Sequence, residues 1–417
     1  MKRIQTDIAV IGGGPAGLAA ALKARKLGAE KVMLIERDAE LGGILQQCIH
    51  DGFGIHRFGK RMSGNQYAQA FIDELAGTDI DVKTGAMVLE VTPERVIYAC
   101  SKTDGMLEIH AGAVILAMGC RERTASQVLI YGDRPAGVLT AGAVQRYINM
   151  EGYLPGTKAV ILGSGDIGLI MARRMTLEGM EVGAVYEVMP NPGGLTRNVV
   201  QCLDDFNIPL HLSTTVTQVH GRKRVEAVTV ARVDERMKPI PGTEQTVECD
   251  LLVLAVGLIP ENELSQGAGI EMDPRTKGPV LDDAFMTSVP GIFACGNVAV
   301  VFDLVDYVSQ SGEIAAQGAV DFISGKRTQP EQYVPVTVQD NVNFVVPQRL
   351  RPECGKATFF MRVKQPARTA TLTCSAADGE LLKKRCRYIA PPEMLTFEVD
   401  KCGGSPLTVG VSKEAEQ

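Results

Sequence analysis

The sequence predicts an α/β protein: two parallel-sheet units, the second inserted into the first, followed by a small all-β domain at the C-terminus. Three observations predict it. The first is residues 7–36, where the apolar run 8–11 reads as a buried strand, Gly12, Gly14 and Gly17 as a tight turn, 18–27 as a helix, and 31–35 as a second strand ending at Glu36. The second is a repeat of that pattern: a strand over 158–162, the turn Gly163-Ser164-Gly165-Asp166-Ile167-Gly168, a helix over 169–178, and a strand over 181–186 before Glu187. The acid follows the last glycine by nineteen residues in both copies (36 − 17 and 187 − 168). The third is a change of composition near Gln329, after which short apolar runs alternate with turn residues and no helical period is left. A G-x-G-x-x-G that leaves a strand, opens a helix and precedes an acid at this distance is a dinucleotide fingerprint. Both α/β units are therefore expected to be Rossmann-like dinucleotide-binding domains.

In each fingerprint the first glycine permits the sharp turn, the second lets the backbone approach a pyrophosphate, and the third lets helix and strand pack closely. The helix N-terminus offers its free N–H groups to the phosphates. Glu36 is expected on the ribose hydroxyls of an ADP moiety. Glu187 stands at the same place in the second copy; a carboxylate there accepts from a free 2′-hydroxyl and repels a 2′-phosphate, which favours NAD(H) over NADP(H). Arg197, ten residues on, works against that preference.

Bulk properties narrow the classes. A length of 417 residues suits two or three domains. The chain is 45% hydrophobic and 22% charged with a net charge of −6, and it has no long basic run, so nucleic acid is not an expected partner. No uninterrupted apolar run reaches the ~18 residues of a membrane span. Lys2, Arg3 and the apolar stretch behind them imitate an export signal, but Asp7 and the glycine turn interrupt it, and its removal would delete the first strand. The ten cysteines form no C-x-x-C and no metal-ligand spacing, so no metal is expected; reduced thiols and a cytoplasmic location are.

Between these landmarks the chain reads as follows. Gly42 and Gly43 suit close passage of backbone against a bulky ligand. Cys48 and His50 follow at once, near the place expected for a reactive ring; Cys48 is a candidate thiol without a near cysteine partner, and His50 a candidate to orient a substrate or give up a proton, with His56 the weaker candidate. A helix is expected over 67–75, strands over 80–84 and 87–91, an antiparallel hairpin over 95–100 and 107–110, and a separate apolar strand over 114–117 ending at Gly119. Helices are expected over 141–149 and 195–206, meander strands over 210–212, 215–220 and 225–233, and an apolar strand over 250–256 ending at Gly257. A strand over 291–295, then Gly296-Asn297 and a helix within 303–324, returns the chain to the first sheet. Six short strands follow between 333 and 399. The expected domains are thus 1–120 with 284–328, the insertion 121–283, and the β-rich 329–417.

The order of fingerprint, Gly119 strand, second fingerprint, Gly257 strand and Ala294-Cys295-Gly296-Asn297 resembles the two-dinucleotide-binding flavoproteins, the group of thioredoxin and glutathione reductases. The resemblance implies FAD in the first unit, NAD(P)H in the inserted one, and a late Gly-Asp at the flavin ribityl chain, where this chain has Asn297. On that reading FAD is held by Gly12, Gly14, Pro15, Ala16, Gly17, Glu36, Arg37, Gly42, Gly43, Ile44, Val88, Ala117, Gly119, Gly296 and Asn297. NAD(H) is held by Gly163, Gly165, Asp166, Ile167, Glu187, Val256 and Gly257. The redox cysteine pairs of those reductases are absent. The stretches 41–54 (LGGILQQCIHDGFG), 134–149 (RPAGVLTAGAVQRYIN), 193–213 (GGLTRNVVQCLDDFNIPLHLS) and 294–312 (ACGNVAVVFDLVDYVSQSG) look more like the flavoprotein subunit that accompanies anaerobic glycerol-3-phosphate dehydrogenase-like proteins. That subunit is itself similar to the larger subunits of opine oxidase, hydrogen cyanide synthase and sarcosine oxidase. This implies a hetero-oligomer in which a second FAD-dependent dehydrogenase subunit oxidises a small-molecule substrate, often with a small cysteine-rich protein.

The expected reaction is hydride transfer between nicotinamide and flavin. The cofactors carry that chemistry, which accounts for the lack of any acid–base dyad or triad in the sequence. Two alternatives remain at this stage: a stand-alone NADH-dependent disulfide or small-molecule reductase using Cys48, and a non-catalytic scaffold or NAD-sensing subunit.

Overall fold

The computed structural model describes residues 1–400, 402 and 404–413; the remaining residues of the expected 329–417 domain lie outside the described ones. The chain divides into two units, Met1–Cys120 with Pro260–Gln417, and Arg121–Ile259. Residues 260–283, grouped above with the insertion, cluster with the first unit.

In the first unit β1 (Lys2–Ile11) runs into α1 (Pro15–Lys26) and then β2 (Val32–Ile35). Pro15 opens α1 with its φ already set, while Lys23, Arg25 and Lys26 complement the dipole at its C-terminus. Next come α2 (Gly64–Ala76), β3 (Asp81–Lys83), β4 (Ala86–Val91), β5 (Val96–Ser101) and β6 (Gly105–Leu116). Helix α2 starts three residues before the expected 67 because Ser63 and Gln66 form a reciprocal capping box. The two strands expected at 107–110 and 114–117 are one continuous β6. Its interior Gly112 is there for close packing, since a Cβ would stand 2.8 Å from the Asp7 carbonyl oxygen on β1.

In the second unit a five-stranded parallel sheet is built from β7 (Val138–Thr140), β8 (Lys158–Leu162), β9 (Glu181–Tyr186), β10 (Leu210–His211) and β14 (Leu251–Leu254), in the order β7-β14-β8-β9-β10. Helix α3 (Asp166–Leu177) links β8 to β9. A second sheet, β11 (Thr214–His220), β12 (Ala227–Arg232) and β13 (Gln245–Glu248) with Tyr131–Gly132 at its edge, closes one side over Val160, Leu162, Val216 and Val228. The helix expected over 195–206 is shorter, Thr196–Cys202.

The chain re-enters the first unit and lays β15 (Ile292–Ala294) parallel to the last residues of β6, as expected. This completes a seven-stranded sheet, β3-β2-β1-β6-β5-β4 with β15 also on β6. Helix α4 (Val305–Ile323) then packs on α1; a Cβ at Gly312 would stand 2.2 Å from the Ala16 carbonyl oxygen. The C-terminal part is all β: β16 (Val334–Asp340), β17 (Val342–Val346), β18 (Arg349–Leu350), β19 (Lys356–Val363), β20 (Ala367–Ala376), β21 (Gly379–Ile389), β22 (Leu395–Asp400) and β23 (Leu407–Lys413). They form a five-stranded sheet β18-β16-β23-β20-β21 and a three-stranded sheet β17-β19-β22 around their own core. Buried Arg327 ties this domain down: it pairs with Asp282 at 2.6 Å and Asp283 at 3.2 Å, and Asp283 also takes Arg351 at 3.3 Å. Among the described residues no helix is long and apolar enough to cross a membrane.

Candidate functional site: two dinucleotide cradles

The first cradle forms where β1 meets α1. Gly12 has φ +107, and a Cβ on it would stand 2.4 Å from the Ala117 carbonyl oxygen at the end of β6. A Cβ on Gly17 would stand 1.8 Å from the Gly12 carbonyl oxygen, so neither position accepts a side chain. Gly14, the N-cap of α1, is different: nothing lies within 4 Å of where its Cβ would be, and no side chain caps the helix. That open face beside uncapped N–H groups fits a pyrophosphate. Buried Glu36 accepts from the N–H of Gly13 at 2.6 Å with one carboxylate oxygen and from that of Asp38 at 2.8 Å with the other. Each oxygen keeps a lone pair for a ribose hydroxyl.

Other expected FAD residues converge here. Gly42, with φ +106, donates its N–H to the Gly13 carbonyl at 2.8 Å, and Gly43 comes close enough that its Cβ would stand 3.1 Å from the Gly14 Cα. A Cβ on Gly296 would stand 2.7 Å from the Ala16 side chain; Asn297 accepts from the Phe302 N–H at 3.0 Å and reaches the Cys120 sulfur at 3.4 Å. Gly119 has φ +75 with open space around it. Ile44 and Arg37 are exposed, and Val88 is buried in β4, two residues from Ala86, whose N–H donates to the Glu36 carbonyl.

The second unit repeats the construction. Gly163 has φ +100 and its Cβ would stand 2.2 Å from the Ala255 carbonyl oxygen; a Cβ on Gly168 would stand 2.5 Å from the Gly163 carbonyl oxygen; Gly165 faces open space. Buried Glu187 accepts from the Ser164 N–H at 2.8 Å and hydroxyl at 2.6 Å, and from the Met189 N–H at 3.0 Å. Val256 and Ile167 are half-buried, Gly257 has φ +102, and Arg197 is exposed. Asp166 is engaged elsewhere: its Oδ1 accepts from the Leu195 N–H at 2.9 Å and Asn198 Nδ2 at 2.6 Å, so it holds the 193–198 loop to the start of α3.

That loop contains a pair that the sequence pattern did not single out. Gly193 donates to the Ser164 hydroxyl at 2.8 Å, and its Cβ would stand 3.5 Å from the Gly165 nitrogen, so Gly193-Gly194 overlies the second cradle as Gly42-Gly43 overlies the first. The signal was present: the double glycine begins six residues after the acid in both copies (42 − 36 and 193 − 187).

Cys48 follows the first double glycine but is buried, its sulfur 3.3 Å from the Ile44 carbonyl oxygen. Burial pushes its thiol up to about 12, so at neutral pH it is protonated. His50 packs its ring 5.1 Å from that of Phe53. Beyond them residues 51–63 leave and rejoin the fold as a short antiparallel pair, Asp51–Phe53 with Met62–Ser63. Three anchors hold the excursion: the His56 N–H on Asp306 at 3.1 Å, Arg57 on Glu313 at 2.6 Å, and the Phe58 ring edge-on to Tyr67.

Residues 6–319 match the family described as pyridine nucleotide-disulphide oxidoreductase. The chain belongs to that family. Its members use FAD and NAD(P)H, which the two cradles fit. Among curated relatives, the chain is 24% identical over 333 residues to an opine oxidase subunit of Agrobacterium tumefaciens, a match covering 75% of this chain and 65% of that one. It is 25% identical over 281 residues to hydrogen cyanide synthase subunit HcnB of Pseudomonas protegens, covering 63% of this chain and 58% of the relative. The chain therefore spans under two thirds of the length of these relatives. Among solved structures, the thioredoxin reductase of T. acidophilum superposes with a TM-score of 0.63 at 24% identity, over 76% of this chain and 98% of that one, which shows the shared fold.

Proposed function

We propose that this member of the family is an electron-transfer subunit: it keeps FAD in the Gly12–Gly17 cradle, receives NAD(H) in the Gly163–Gly168 cradle, and exchanges electrons with a partner dehydrogenase. The observation that carries this is the duplicated cradle, in which Glu36 and Glu187 are each fixed by the backbone N–H one residue past the first glycine and by the N–H two residues past themselves. When bound, the flavin and nicotinamide rings supply hydride transfer. The chain's own residues bind and orient. The uncapped starts of α1 and α3 take pyrophosphates, the two buried carboxylates take ribose hydroxyls, and Asn297 Nδ2 and the Gly119 turn lie beside the first cradle. Glu187 favours NAD(H) over NADP(H).

The partner is a second FAD-dependent dehydrogenase subunit, similar to glycerol-3-phosphate dehydrogenase, which meets the small-molecule substrate, with a small cysteine-rich protein as a third component. The relatives named as subunits of opine oxidase and hydrogen cyanide synthase support a multi-subunit setting. Ten free cysteines support a reducing, cytoplasmic one. The protonated state of Cys48 favours this reading over a thiol-dependent reductase. Anaerobic NADH should bleach the flavin of wild-type and Cys48→Ser protein alike, and NADPH should do so more weakly. Loss of NADH-driven acceptor reduction in Cys48→Ser would instead establish the thiol reductase. Protein that retains no FAD would make the chain a scaffold.

A further inference from the structure

The C-terminal domain holds two cysteines that neither cradle uses. Strands β19 and β22 run antiparallel, with Lys356 opposite Asp400 and Met361 opposite Leu395. Cys354 and Cys402 each lie two residues beyond the last pair of that ladder, Lys356 with Asp400. The sulfurs are 2.9 Å apart, and both residues are buried. The remaining sulfur contacts are backbone carbonyls, Lys356 at 3.5 Å from Cys354 and Cys354 at 3.8 Å from Cys402. Among the described residues no group of three His, Cys, Asp or Glu side chains is placed to hold a metal.

We propose that Cys354 and Cys402 are a redox-modification site, a dithiol that hydrogen peroxide closes to a disulfide across the end of the β19–β22 ladder and that thiol reductants reopen. With the Cys354 thiol donating across that contact, Cys402 is the attacking sulfur, because the hydrogen bond holds its thiol below the usual range; with the donor reversed the two exchange roles. The Cys402 thiolate bonds to one peroxide oxygen, the O–O bond breaks, and the first water leaves, with Cys402 now a sulfenic acid. The Cys354 sulfur then bonds to the Cys402 sulfur, the S–O bond breaks, and a second water leaves. The two thiols lose two protons and two electrons, which the peroxide takes up to become two waters. Burial makes the reaction slower than at an exposed thiol.

The test is peroxide treatment of the full-length, flavin-loaded protein, read by intact mass and peptide mapping. The wild type should lose the mass of two hydrogens, yield one cross-linked peptide pair joining Cys354 to Cys402, and return to its starting mass with dithiothreitol. Cys354→Ser and Cys402→Ser should each lack the cross-link. Because the bridge closes a loop between residues 48 apart, thermal unfolding of the oxidised wild type should move to higher temperature. A wild type whose Cys354 and Cys402 stay reduced while other cysteines oxidise would overturn the proposal. So would a bridge to Cys374 or Cys386, or over-oxidation of Cys402 without a bridge.

Discussion

Glu36 and Glu187 show what a single side chain does in this protein. Each is a buried carboxylate that bridges two backbone N–H groups across the mouth of its cradle, so it shapes the turn before any ligand arrives and still has acceptor capacity left. Their place was legible from spacing alone, because the acid stands where the second strand ends. Cys48 was not legible in the same way. Its position after Gly42-Gly43 suggests chemistry, whereas its burial, which no local pattern encodes, removes the thiolate. With the thiol pushed from its ordinary 9.0 up to about 12, iodoacetamide at pH 8 should alkylate Cys48 roughly a thousandfold more slowly than an exposed thiol. Peptide mapping after timed labelling checks this, and labelling at an exposed thiol's rate would contradict it. The sign for stability follows: the fold favours the protonated thiol, so its contribution is fully present below about pH 9 and is lost as pH rises toward about 12.

At the scale of elements, strands and helices near the fingerprints were read within a few residues, because apolar runs bounded by glycines carry their own period, except that β1 starts at Lys2, six residues before the expected 8. The misreadings have local causes. The Ser63–Gln66 capping box draws α2 back to Gly64, and Gly112 keeps β6 continuous by admitting β1 close beside it. Tertiary ion pairs leave no such trace. The Arg327–Asp282–Asp283–Arg351 cluster joins residues far apart in the chain, and nothing in the sequence announces it. Burial pushes the Asp282 carboxyl up against the pull of Arg327, so the pair is held by its geometry. Arg327→Ala would strand buried Asp282, while Asp283 keeps Arg351, and should cost about 3–5 kcal/mol of stability. Chemical denaturation of wild type and variant measures it; a loss under about 1 kcal/mol would mean that water reaches the site and takes the arginine's place.

For the whole molecule, the fold amounts to one cradle design used twice, with a β domain appended. A parallel sheet places its glycine turns at the C-terminal ends of its strands, where open α/β sheets bind ligands, so duplication of the sheet duplicates the site. The repeated spacing made that duplication readable, whereas no residue pattern marks a surface for the proposed partner. In the proposed function the two cradles divide the labour, flavin in the first and nicotinamide in the second. The most direct test is an anaerobic NADH titration of Gly17→Ala and Gly168→Ala beside the wild type, with dithionite as a control for flavin that can still be reduced. At either position the added Cβ would run into the carbonyl of its own fingerprint's first glycine. Gly17→Ala should purify with little flavin, whereas Gly168→Ala should purify yellow, bleach with dithionite and resist NADH. A Gly168→Ala protein that bleaches with NADH like the wild type, or one that loses its flavin while Gly17→Ala keeps it, would contradict that division.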